Sequence, residues 1–343
     1  MSFGVVAQYY APEMVYYPDV WSLVKKLGAT HVSGAIRDWA AEACRDNGLK
    51  LYTSCTGPAW ATGPLGTYYT CPDYFFDEQL LIDRISGYNF AQYKNHEGIF
   101  GHTLAGEPLG SEHEYTPFDV YNLTARQRLF VNTIKAGMRY IRSQDPTHPV
   151  SVALNTAGGW GYFEGYLDRR RHWIREWIDD VDFLDFHLYV MANNDKGSWR
   201  DWDFFRAKLR EMLEMLVSES KGKPIVIGEM GMVTDPMVMW TGSTEPFTEQ
   251  NQYDYYRIYG EELKRLSKPI LVYPFKLVDP PYYEGLQTWG LYKSTMGADG
   301  YNVPKLVAPY VKDFLGGGVQ PPPTHTLTVQ STIPVSFKIR RVV

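Results

Sequence analysis

Phe205-Arg-Ala-Lys-Leu-Arg-Glu-Met-Leu-Glu-Met-Leu216, followed by Gly222-Lys-Pro-Ile-Val-Ile-Gly-Glu229, is the stretch whose reading decides the fold. Phe205, Leu209, Met212, Leu213 and Leu216 recur at spacings of three and four, with Lys208, Arg210 and Glu211 between them. That periodicity predicts an amphipathic helix with one buried stripe. Gly222 supplies a stop, and Ile225, Val226 and Ile227 form a short, continuously apolar run of the kind a strand buried on both faces requires. Helix, tight turn and buried strand make up the unit of a parallel sheet joined by helical crossovers.

The unit recurs in both directions along the chain. Strand candidates begin at Phe3, Thr30, Leu49, Gly98, Pro149, Asp182, Pro224 and Lys268, with helical periodicity between them. Tyr256, Tyr259, Leu263 and Leu266 form a second helical stripe, and Gly28 and Asn47-Gly48 are further stop signals. Eight repeats predict an α/β fold, a (β/α)8 barrel, which commonly takes roughly 250 residues or more and so suits a chain of 343. The expected organisation is a barrel over residues 1–318, a Pro-rich linker at 319–323 and a β-rich tail at 324–343. The tail either docks on the barrel or begins a β-sandwich module cut short.

Composition narrows the partners. A net charge of -5 without Lys/Arg blocks gives no basic groove for phosphates, so a nucleic-acid partner is not expected. Ten Trp and 26 Tyr suit surfaces that hold sugars, although packing accounts for most of them. Of three cysteines, Cys44 falls in a predicted helix while Cys55 and Cys71 flank one loop, where a bridge is open but unforced. No run of about 18 apolar residues is present, so no membrane span is expected, and no leader is visible. Two placements stay open: intracellular, or secreted or cell-surface with a leader removed.

In such a barrel the active residues sit at the C-terminal ends of the strands. The fourth candidate strand, Gly98-Ile-Phe-Gly-His-Thr-Leu-Ala-Gly-Glu107-Pro108, and the seventh, Pro224-Ile-Val-Ile-Gly-Glu229, each end in a glutamate. Strands four and seven lie across the mouth, so the two carboxyls can face one bound bond. Glycoside cleavage needs such a pair: a protonated acid for the leaving oxygen and an ionised carboxylate for the anomeric carbon, roughly 5 Å apart when configuration is retained. No metal and no cofactor is required.

With these motifs the chain resembles the clan A glycoside hydrolases, and most of all their family 5 and family 39 type of barrel. Gly106-Glu107-Pro108 is similar to the clan's Asn-Glu-Pro motif, and Ile227-Gly228-Glu229 to the strand that carries its nucleophile. His187-Leu188-Tyr189 resembles the His-x-Tyr that ends strand six; Tyr273-Pro274-Phe275-Lys276 with Thr288-Trp289-Gly290-Leu291 resembles the clan's eighth strand and its continuation. The likeness runs from residue 3 to about 315. It implies a retaining enzyme cleaving β-linked glycosides of β-glucan or β-mannan type, with Glu107 as general acid/base, Glu229 as nucleophile, Tyr189 hydrogen-bonded to the nucleophile, and His187 facing an oligo- or polysaccharide substrate. Lys276 and the strand-end tryptophans Trp60, Trp160, Trp240 and Trp289 join it as candidate substrate contacts, while Trp173, Trp177, Trp199 and Trp202 are expected to pack helices.

Three departures qualify the likeness. Gly106 stands where the clan has the Asn that binds the sugar 2-hydroxyl, leaving Asn155 at the end of strand five as a substitute. Arg37 falls beyond strand two, where the clan places an Arg near the nucleophile. Pro274 replaces a strand-eight Trp. Two other enzyme classes fit poorly: a metal-dependent barrel wants a His-x-His on a first strand that offers Gln8-Tyr9-Tyr10, and a phosphate cradle wants Gly-rich anion loops where Lys276, Leu277, Val278 and Asp279 stand. A carbohydrate-binding barrel without hydrolysis remains an alternative.

Overall fold

The computed structural model describes residues 3–6, 20–35, 38–56, 73–106, 122–155, 166–189, 201–232, 234, 248–279, 290–293 and 303–316. Among the described residues one sheet has eight strands, β1 Gly4–Val6, β2 His31–Ala35, β3 Lys50–Ser54, β4 Ile99–Gly106, β5 Val150–Asn155, β6 Leu184–His187, β7 Ile225–Met230 and β8 Ile270–Pro274, beside a two-stranded pair of Tyr292–Lys293 with Val303–Pro304. The eight pair in sequence order, and each of their pairs is parallel. A parallel bridge between Val6 and Phe275, with Leu277 N–H donating to Val6 O at 3.0 Å, brings the last strand to the first. The result is a nearly closed (β/α)8 barrel. Each strand starts one or two residues after its expected position; Pro149 and Pro224, which have no N–H to donate, stand just before β5 and β7 and accept from His102 N and Leu184 N, each at 2.9 Å.

Among the described residues one α-helix follows each barrel strand: α1 Val20–Leu27, α2 Asp38–Asp46, α3 Glu78–Ser86, α4 Ala125–Gln144, α5 Tyr166–Trp177, α6 Trp202–Glu219, α7 Glu249–Arg265 and α8 Val311–Leu315. The α6 stripe is buried as the spacing predicts, and Met215 joins it. In α7 the buried face is Tyr255, Tyr256, Ile258, Tyr259 and Leu263, while Leu266 caps the helix and is half-buried. Thr124 with Gln127 and Thr248 with Asn251 close reciprocal capping boxes that start α4 and α7. Gly28, Gly48 and Gly222 take φ of +77°, +68° and +83°, the left-handed turn that releases the chain toward the next strand. Trp173 and Trp177 are buried against each other, with ring centroids 5.3 Å apart.

Two cores result. The larger lies between strands and helices; the smaller fills the barrel with Val6, Tyr52, Phe183, Val226 and Tyr273. A Cβ at Gly4 would stand 2.2 Å from the Tyr273 ring, so that glycine makes room for a tyrosine inside the barrel. These interior residues mark which face of each strand points inward. The Pro-rich linker and the tail at 319–343 lie outside the described residues.

Candidate active site

The C-terminal ends of β5, β6 and β7 stand in register: Asn155 pairs with His187, and His187 with Glu229. Immediately before β6, Phe183 faces the barrel interior, so alternation along the strand turns Asp185 and His187 inward as well. On β7 the inward residue is Val226, and strict alternation would send Glu229 to the helix side. The register corrects this. Asp185 pairs with Val226 but His187 with Glu229, so two steps on β6 match three on β7. The extra residue is a bulge that re-aims the strand end, and Glu229 turns to the mouth.

There Tyr189 Oη donates to Glu229 Oε2 at 2.9 Å, and His187 Nδ1 lies 3.5 Å from the same oxygen. The Glu229 side chain keeps 16% of its exposure, enough to meet a ligand, while His187 is buried. Phe275 packs edge-on to the Tyr189 ring with centroids 6.3 Å apart, which fixes the phenol's approach. A hydroxyl donor and an imidazole nitrogen thus converge on one carboxylate oxygen.

Beneath this trio lies an acid that sequence reading did not single out. Asp185 is fully buried, and Tyr52 Oη of β3 donates to its Oδ2. Burial raises its pKa to about 6, against the opposing pull of the His187 charge, the Tyr52 hydroxyl and the backbone N–H groups of Gly228 and Phe186. Burial and the adjacent Asp185 push the Tyr52 hydroxyl far above its usual range, so it remains a donor. A Cβ at Gly228 would stand 2.5 Å from Asp185 Oδ1 and 3.2 Å from His187 Cδ2. The glycine before Glu229 therefore makes space for both groups. The signal was available in Asp185-Phe186-His187, whose period of two places the acid and the imidazole on one face.

The other expected residues divide. Lys276 is buried two residues past β8 with its Nζ 5.1 Å from the Phe275 ring centroid, and Asp279 is held by Lys305 Nζ at 2.8 Å. Asn155 ends β5, though its side chain is not described. Glu107 directly follows the last residue of β4, Gly106, and with Arg37, Trp60, Trp160, Trp199, Trp240 and Trp289 lies outside the described residues. Cys55 carries a free buried thiol whose pKa burial pushes up to about 12, which replaces the open bridge to Cys71, a residue also outside the described set.

Among the described residues, His102, Asp145 and His148 form the one group of this kind that could hold a metal ion. They stand away from the mouth, since His102 pairs with Val150, the first residue of β5. Their atoms are joined directly: His102 Nε2 and His148 Nδ1 donate to Asp145 Oδ2 at 2.9 and 2.8 Å. Thr147 N and Oγ1 donate to Asp145 Oδ1 at 3.1 and 2.7 Å, and Thr53 Oγ1 donates to His102 Nδ1 at 2.7 Å. The group locks β4 to the turn that enters β5.

No family model and no curated protein matches the sequence. Solved structures do. The chain is similar to the β-D-glucuronidase of Dictyoglomus thermophilum, with a TM-score of 0.60 and 15% identity over 92% of this chain and 50% of that one. It is similar to the Bifidobacterium dentium β-glucuronidase complexed with coumarin-3-O-glucuronide, with a TM-score of 0.60 and 17% identity over 92% and 46%. The Faecalibacterium prausnitzii β-glucuronidase gives 0.58 and 16% over 95% and 49%. The likeness is one of fold. The chain spans about half the length of these structures.

Proposed function

We propose that the chain is the catalytic barrel of a retaining β-glycosidase in which Glu229 is the nucleophile and Glu107 the general acid/base. The observation that carries this reading is Glu229 itself: a carboxylate turned into the barrel mouth by a bulge, hydrogen-bonded by Tyr189 at 2.9 Å and set beside His187. The fold shared with β-glucuronidases supports it. Glu229 attacks the anomeric carbon, while Glu107 delivers a proton to the leaving oxygen as the glycosyl-enzyme forms; Glu107 then takes a proton from the water that releases the sugar. Tyr189 holds Glu229 in line and steadies its charge before attack.

The substrate is a β-linked glycoside. The sequence resemblance favours β-glucan or β-mannan, and the names of the structural neighbours add β-glucuronides. Aryl β-glucosides, β-mannosides and β-glucuronides, assayed beside the two polysaccharides, separate the three. Glu229→Ala should lose turnover on every substrate by several orders of magnitude. Glu107→Ala should keep activity on aryl glycosides whose leaving group needs no proton, and added azide should give a glycosyl azide of retained configuration. Sugar binding without turnover in the wild type would establish the binding barrel instead.

A further inference from the structure

Asp185 has no part in the double displacement, yet it occupies the floor directly under the proposed nucleophile. Three observations bear on its purpose. Its carboxylate is fully buried and pinned by Tyr52. Asp185 Oδ1 and His187 Cδ2 lie on the same side of Gly228, 2.5 and 3.2 Å from the point where a Cβ would stand. His187 in turn presents Nδ1 to Glu229 Oε2 at 3.5 Å. Tyr52, Asp185, His187 and Glu229 thus follow one another from the barrel interior to the mouth.

We propose that Asp185 is a positioning residue, a buried anion that holds His187 in its imidazolium form and so keeps Glu229 ionised and aimed. The inference rests on the role proposed for Glu229. An imidazole flanked by two carboxylates binds its proton more tightly, and an imidazolium beside Glu229 favours that residue's charged form. The groups around Asp185 are Tyr52 from β3, with Thr103 of β4 against the Tyr52 hydroxyl, His187 from β6, Glu229 beyond Gly228 on β7, and Tyr273 of β8 beside Tyr52. Tyr52 donates and does not ionise, so the exchange of charge falls to Asp185, His187 and Glu229, which titrate as one coupled set. Because burial raises Asp185 to about 6, the device engages as pH rises through that value and is lost below it.

The test is an NMR titration of the His187 Cε1–H, assigned by its loss in His187→Gln. Asp185→Asn keeps the hydrogen bond from Tyr52 and removes the charge. It should lower the protonation constant of His187 at least tenfold, moving its midpoint down by one pH unit or more. Tyr52→Phe removes a hydrogen bond that stabilises the Asp185 charge, so it should lower that constant in the same direction but by less than Asp185→Asn does. A His187 midpoint in Asp185→Asn within twofold of wild type would overturn the proposal. Should Asp185→Asn not fold, wild-type protein carrying 13C at the Asp carboxyls decides: the Asp185 step near pH 6 must appear in the His187 curve, and independent curves would refute the coupling. On an active substrate, Asp185→Asn should move the acid limb of kcat/KM to higher pH with KM unchanged. Absence of activity in the wild type would remove the proposed function and leave the His187 result standing.

Discussion

Replacing Asp145 tests the account of what holds the barrel base together without reference to substrate. The carboxylate is fully buried and accepts from His102 Nε2 at 2.9 Å, His148 Nδ1 at 2.8 Å, Thr147 N at 3.1 Å and Thr147 Oγ1 at 2.7 Å. In Asp145→Asn the acceptor facing the two histidines becomes an amide N–H₂. His102 can answer by changing tautomer, accepting at Nε2 and donating from Nδ1 to Thr53. All four charge-assisted bonds to Asp145 then become neutral ones; the loss, offset in part because a buried charge is removed as well, should come to about 2 kcal/mol. Asp145→Ala leaves the buried His102 nitrogen and Thr147 without partners and should cost about 4 kcal/mol.

The pH dependence has a definite sign. Burial pushes the Asp145 carboxyl up, but hydrogen bonds from His102, His148 and Thr147 outweigh it and hold the group well below the usual range. A depressed carboxyl contributes stability above its unfolded pKa near 4 and loses it as pH falls below that value. Burial also lowers His102, against the pull of Asp145, so the neutral ring's contribution declines as pH drops below about 6.5. The His102 contribution declines in both proteins, whereas the Asp145 contribution exists only in wild type, so the urea midpoints of wild type and Asp145→Asn should lie apart at pH 7 and converge as pH falls below 4. A gap under about 0.5 kcal/mol at pH 7, or one that widens as pH falls below 4, would refute the reasoning.

Two substitutions bear on the mouth. Tyr189→Phe removes the 2.9 Å bond to Glu229, a charge-assisted bond worth about 1.5–3 kcal/mol, so kcat/KM should fall roughly 10- to 100-fold and its acid limb should rise; an unchanged pH–rate profile would dismiss that role. Gly228→Ala drives a Cβ to 2.5 Å from Asp185 Oδ1, and should cost about 1–3 kcal/mol in a urea melt together with more than about tenfold in kcat; full stability with full activity would show that the floor tolerates the methyl group.

Strands and helices were legible because parallel strands buried on both faces read as apolar runs and the helices between them keep a 3.6-residue stripe. Glu229 was legible for the same reason, as the first charge after Ile225, Val226, Ile227 and Gly228. Its orientation was not: alternation alone points it outward, and the bulge that reverses it exists only in the pairing of β7 with β6. Asp182 and Asp185 show a similar limit. In sequence they are two acids in one apolar run, yet Asp182 lies half-exposed before β6 and accepts from Arg142 Nε at 3.0 Å, whereas Asp185 is sealed inside. What separates them is Tyr52, 133 positions away, whose hydroxyl no local pattern connects to Asp185.

Covalent trapping addresses the nucleophile most directly. Wild-type protein is incubated with the 2-deoxy-2-fluoro analogue of the best aryl glycoside, digested and mapped by mass spectrometry. A 2-fluoro group slows both steps through the oxocarbenium-like transition state, and an activated leaving group lets the glycosyl-enzyme accumulate. The account predicts one stoichiometric ester, on Glu229 in the peptide containing Ile227-Gly228-Glu229, absent from Glu229→Gln and released by water with retained configuration. A label on Glu107 or any other carboxylate, or turnover of the parent glycoside with inversion and no label, would contradict it.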